Sequence, residues 1–195
     1  MSFTWANILT LFRIVITPLF LVMILSGDPV WIAWSTVLYF VGAISDYFDG
    51  YLARKFNSGT NWGKFTDPLA DKILTLAALA AFVFLDIIPL WMVVLIGIRD
   101  LIITLMRVFG SSLKRPVQTS YFAKIKTFVQ MFFIGFILIL LFVKSTKIFS
   151  FDSEMVNNWL YSDATYLSML IVTLFSVVTL IEYLYKSFSA KSVQN

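Results

Sequence analysis

Six long apolar stretches, near residues 8–26, 30–52, 68–87, 89–109, 120–143 and 160–185, take up most of this 195-residue chain. Each approaches the ~20 residues that a helix needs to cross a bilayer. Backbone in hydrocarbon must satisfy its own hydrogen bonds, so such stretches have to be helical. The expected fold is therefore all-α, a polytopic membrane protein with six transmembrane helices. The breaks have local causes: Gly27 and Pro29 after the first stretch, the polar "KFNSGTNWG" after the second, Pro89 after the third, and Gly110 with Pro116 after the fourth. Composition agrees, because only 13% of the residues are charged and 59% are hydrophobic, against roughly a quarter charged in soluble domains. No room remains for a soluble domain, so residues 1–195 read as a single membrane-embedded domain. The opening "MSFTWANILTLFR" reads as a short interfacial N-terminal helix, with Phe3, Trp5 and Phe12 suited to headgroup depth. Arg13 interrupts the apolar run and no small-residue cleavage site precedes Asp28, so the first segment reads as retained rather than as a signal peptide. The stretch "KSTKIFSFDSEMVNN" reads as a long loop of mixed charge.

Lys and Arg gather in alternate connections. Arg54, Lys55 and Lys64 follow the second stretch, Lys114, Arg115, Lys124 and Lys126 surround the join of the fourth and fifth, and Lys186 and Lys191 lie in the tail, whereas the turns at Asp28 and Asp86 carry none. By the positive-inside rule both termini are cytoplasmic.

The segment "SDYFDGYLARKFNSGTNWGKFTDPLADK" then stands out. It sets Asp46, Asp49, Asp67 and Asp71 at the cytoplasmic ends of two neighbouring helices, in a chain with 11 acidic residues. Spacings of three and four put each pair on one helical face. Taken singly, an aspartate here is a helix cap, as Asp67 before Pro68 illustrates. Four together at low dielectric repel one another unless cations neutralise them. The chain has no Cys and no His, which excludes thiolate and imidazole chemistry and leaves all-oxygen ligation. Mg²⁺ or Mn²⁺ suits such a donor set, with two ions and a phosphate-bearing substrate completing the shells. Gly50 and Ala53 leave the adjoining face bare, and Arg54 and Thr60 add donors for phosphate.

Downstream, Arg99, Arg107, Arg115 and Lys124 form a basic set, with Arg99 and Arg107 sharing a face in an apolar run. Lys114 and Lys126 read as facing lipid headgroups. Buried guanidinium groups beside a metal site suit an acceptor that carries its own phosphate, which a free alcohol such as serine does not.

Positions 46 to 71 spell D-x2-D-G-x2-A-R-x8-G-x3-D-x3-D without a departure, and in this the chain resembles the CDP-alcohol phosphatidyltransferases. The resemblance implies a six-helix homodimeric membrane enzyme, expected in the bacterial cell (inner) membrane with its active site on the cytoplasmic side. It would move the phosphatidyl group of CDP-diacylglycerol to an alcohol and release CMP, with no nucleic-acid partner. It further implies that Asp46, Asp49, Asp67 and Asp71 ligate two divalent ions, that Asp71 also serves as the catalytic base, and that Gly50, Arg54 and Thr60 contact the CDP part. The segments "ANILTLFRIVITP" and "TNWGKFTDPLADKILTLAALA" are similar to the branch whose acceptor is sn-glycerol 3-phosphate, which assigns the acceptor phosphate to Arg99, Arg107, Arg115 and Lys124. That branch usually has R-E and G-K-I-K-T where this chain has Arg99-Asp100 and Ala123-Lys124-Ile125-Lys126-Thr127. Phosphatidylglycerol and inositol phosphate stay open as acceptors. A divalent-cation transporter is the reading from a different class, but its carboxylates belong nearer mid-membrane and on repeated segments.

Overall fold

The structure is a computed structural model that describes residues 5–56, 63–112, 121–146 and 153–192. All of its regular structure is helical: α1 (Trp5–Ile24), α2 (Pro29–Phe56), α3 (Gly63–Phe84), α4 (Leu90–Ser112), α5 (Tyr121–Thr146), α6 (Ser153–Leu160) and α7 (Asp163–Ser192).

The turns follow from their residues. Gly27 takes φ +74°, and Asp28 then caps α2 by accepting the Val30 N–H at 2.7 Å, with Pro29 at the first helical position. At the end of α3, Asp86 adopts φ +55°, a left-handed cap in which the Ile87 N–H returns to the Phe82 carbonyl at 2.9 Å.

Two expectations need correction. Among the described residues no separate interfacial helix precedes the first span, because α1 runs unbroken from Trp5. Residues 5 to 17 contain neither Gly nor Pro, so nothing interrupts the ladder before Pro18. The expected loop, residues 144–158, instead holds the end of α5 and most of α6, eight residues with Val156 and Leu160 buried. Two apolar positions in so short a helix give too little periodicity to read in advance. Just after it, the Tyr161 hydroxyl donates to the Leu85 carbonyl at 3.1 Å, tying this end of the bundle to the α3–α4 turn.

Helix α1 packs on α2 and α3, α2 also on α5, and α4 on α3 and α7, while α5 joins α7. Ala77, Ala78 and Ala81 present a small-residue surface on α3, beside Phe20, Phe82, Met92, Ile96, Ile134 and Leu138 in a continuous apolar core. The outside is apolar too: Val22, Trp31, Phe84, Phe128, Phe132, Ile171 and Val178 are all exposed, as befits a bundle whose solvent is lipid. The stretches Phe122–Thr146 and Ser153–Tyr185 are long and apolar enough to cross a membrane, and α1, α2 and α3 contribute the shorter apolar runs Leu11–Ile24, Pro29–Ser45 and Lys72–Phe84.

Candidate active site

The motif falls on two helices and their connection. Positions 46, 49, 50 and 54 lie in the last part of α2, and positions 67 and 71 in the first two turns or so of α3. The surroundings of these six side chains are outside the described set, and Thr60 and Arg115 lie outside the described residues altogether.

Helix register nevertheless sets positions 46 and 71 at one level. A methyl group placed on Gly42 would lie 2.9 Å from Leu74 Cδ2 and 3.7 Å from Ile16 Cγ2, so α1, α2 and α3 converge there. One turn to one side, Phe20 on α1 meets Tyr39 on α2, with ring centroids 5.6 Å apart. One turn to the other side brings α2 to position 46, α3 to position 71 and α1 to Arg13. The helix hairpin continues toward positions 49 and 67. Among the described residues no group of three or more possible metal ligands is gathered; the aspartate quartet is the candidate centre on its sequence spacing. Its donors are all carboxylates, and the chain has neither His nor Cys. That chemistry fits a hard, oxygen-ligated cation such as Mg²⁺ or Mn²⁺.

A second polar centre lies inside the bundle between α4, α5 and α7. Arg99 Nη1 donates to Asp100 Oδ1 at 2.7 Å, and Lys126 Nζ donates to the same oxygen at 3.0 Å. Arg99 Nε and Nη2 both donate to Thr179 Oγ1, at 3.1 and 2.9 Å, and the Thr179 hydroxyl in turn donates to the Ser176 carbonyl at 2.9 Å. Arg99, Asp100 and Lys126 are 4%, 5% and 2% exposed. Two cations share one carboxylate, so the cluster carries a net positive charge. Lys72, next in sequence to Asp71, is close enough to act electrostatically on both Asp100 and Lys126. A buried, net-positive group of N–H donors is suited to an anion that brings its own negative charge.

Of the expected acceptor residues, Arg99 is therefore inside the bundle and held on two sides. Lys124 is exposed on α5, and Arg107 lies on α4 with its side chain outside the described set. Lys126 corrects the expectation of a headgroup-facing lysine, since it is buried against Asp100 across 26 residues of sequence. Its spacing of two from Lys124 turns it to a different side of α5, so the two lysines occupy different environments. Asp100 and Thr179 had no assigned role. The signal for Asp100 was a carboxylate beside an arginine in an apolar run. Thr179 gave none, because Thr and Ser recur along α7 and mostly bond their own helix, as Thr173 does to the Met169 carbonyl at 2.9 Å.

Comparisons with known proteins fit this geometry. The family model described as CDP-alcohol phosphatidyltransferase matches residues 3–178. The chain is 32% identical over 205 residues to the CDP-diacylglycerol–glycerol-3-phosphate 3-phosphatidyltransferase of Bacillus subtilis (strain 168), covering 99% of this chain and 100% of the relative. It is 34% identical over 145 residues to the protein of the same name in Escherichia coli (strain K12), covering 71% of this chain and 78% of that one. Against its namesake in Rickettsia typhi (strain ATCC VR-144 / Wilmington) the identity is 32% over 133 residues, with 68% and 75% covered. With an unbroken signature on α2 and α3 and a family match along nearly its whole length, this chain belongs to the CDP-alcohol phosphatidyltransferase family.

Proposed function

We propose that this enzyme transfers the phosphatidyl group of CDP-diacylglycerol to sn-glycerol 3-phosphate, giving phosphatidylglycerophosphate and CMP. The family membership and the names of its relatives support the reaction. The observation that carries the acceptor is the net-positive Arg99–Asp100–Lys126 cluster, buried between α4 and α5, with α3 packed against both helices.

Asp46, Asp49, Asp67 and Asp71 would hold two Mg²⁺ or Mn²⁺ ions. When bound, such ions neutralise the diphosphate and stabilise the charge that develops on the departing CMP. Gly50 leaves room for the CDP part against the helix backbone, and Arg54 and Thr60 donate to its phosphates. Arg99, Arg107, Arg115 and Lys126 hold the phosphate of the acceptor, which aims a free hydroxyl at the β-phosphorus of the donor, while Lys124, exposed on another side of α5, attracts the anion from outside. The new P–O bond forms as the bond to CMP breaks, and Asp71 takes the hydroxyl proton. Holding both reactants in line converts an encounter into an effectively unimolecular step.

The surrounding architecture in this proposal is six spans in the bacterial cell membrane, both termini and the site on the cytoplasmic side, and a homodimer. The alternate placement of basic residues supports the orientation. The test is purified protein given CDP-diacylglycerol and a panel of labelled alcohols. Glycerol 3-phosphate should release CMP far faster than phosphatidylglycerol, inositol phosphate or serine. Preferential use of phosphatidylglycerol would replace the acceptor and leave the reaction class in place.

A further inference from the structure

Arg13 is the sole charged residue of α1, and it is among the largest fully buried side chains of the bundle, at 1% exposed. A guanidinium does not lose its proton inside a protein, and desolvating it without a countercharge costs several kcal/mol. It is engaged in a polar or electrostatic interaction, and the packing limits which carboxylates can balance it. Among the described residues α1 packs on α2 and α3 and on no other helix. The acidic residues of those two helices are Asp46, Asp49, Asp67 and Asp71 and no others. Asp28 and Asp86 lie beyond the opposite ends of the same helices. Register gives the same answer independently: from the convergence at Gly42, one turn along each helix reaches Arg13, position 46 and position 71 at one level.

We propose that Arg13 is a positioning residue of the transfer site, the counter-ion of the carboxylate quartet when no metal is bound and of the donor diphosphate when metal is bound. This rests on the metal-site reading above. Four carboxylates balance two divalent ions, and the diphosphate then adds negative charge that the quartet cannot offset. A fixed cation from α1 supplies that balance without occupying a metal position.

The consequence is a pair of changes of opposite sign. Arg13→Gln removes a cation that competes with metal, so Mn²⁺ alone, followed by electron paramagnetic resonance on purified protein, should bind about tenfold more tightly. The same variant should raise KM for CDP-diacylglycerol about tenfold. Arg13→Lys should keep Mn²⁺ affinity near that of the unaltered protein and recover part of the donor affinity. A packing role alone predicts that both affinities weaken or neither moves, and either result overturns the proposal. A metal-free stability cycle provides a second measurement. Arg13→Gln leaves a carboxylate without its counter-ion, so one of the double variants that add Asp46→Asn, Asp49→Asn, Asp67→Asn or Asp71→Asn should melt higher than Arg13→Gln alone. Strict additivity in all four overturns the proposal even if the single variant folds poorly. If unaltered protein binds no Mn²⁺, the metal reading fails instead, and the cycle still decides the pairing.

Discussion

Lys126 on α5 and Arg99 on α4 meet at one oxygen, Oδ1 of Asp100, at 3.0 and 2.7 Å. One carboxylate thus holds two buried cations in a fixed relation. Asp100→Asn leaves both without their shared counter-ion, and breaking a buried pair in this way costs about 3–5 kcal/mol. Thermal unfolding in detergent should show a clear fall in Tm, with Asp100→Glu losing much less because the charge stays. An unchanged Tm for the Asn variant would mean that the pairing contributes nothing to stability.

Lys126 and Arg107 test the acceptor. If each makes a charge-assisted contact to the phosphate of glycerol 3-phosphate, losing one costs about 1.5–3 kcal/mol, a tenfold to hundredfold rise in KM. Lys126→Met and Arg107→Ala should show that rise for glycerol 3-phosphate while KM for CDP-diacylglycerol stays within a fewfold. Arg107→Lys should recover only part, since an ammonium lacks the bidentate geometry. A flat KM for glycerol 3-phosphate across the set would make phosphatidylglycerol the leading acceptor.

Thr179 accepts two N–H groups of Arg99, at 3.1 and 2.9 Å. Thr179→Val keeps the shape and removes the acceptor, so the guanidinium loses its orientation and KM for glycerol 3-phosphate should rise about tenfold, as for a lost hydrogen bond to a charged group. Thr179→Ser should restore it. Equal loss in the Ser and Val variants would assign Thr179 to packing alone.

Chelation tests the aspartates. EDTA should silence turnover, and Mg²⁺ or Mn²⁺ should restore it where Zn²⁺ does not, because the donor set is all oxygen. Asp67→Asn should abolish CMP release while the protein still inserts in the membrane. Near-normal release by that variant at ordinary Mg²⁺ would sink the assignment.

The helices that carry positions 46, 49, 67 and 71 were legible because local signals set them: long apolar runs, with Gly27, Pro29 and Pro89 marking the helix ends beside them. Lys126 was misread for the opposite reason. Whether a lysine near a helix end turns outward or inward depends on what the neighbouring helix presents, and Asp100 lies 26 positions away. Thr179 is more distant still, 80 positions from Arg99, and a threonine in a helix of many hydroxyl residues gives no sign of its partner. The eight residues of α6 escaped because a helix of two turns shows too little pattern.

The division of the bundle bears on how such enzymes diversify. Helix α1 touches only α2 and α3 among the described residues, while the cluster proposed to hold the acceptor is assembled from α4, α5 and α7. On the proposed roles, substitutions within that cluster should change the choice of alcohol more than they change the grip on the nucleotide. Because α5 also packs on α2 and α4 on α3, the freedom to change acceptor rests with the few side chains of that cluster rather than with whole helices.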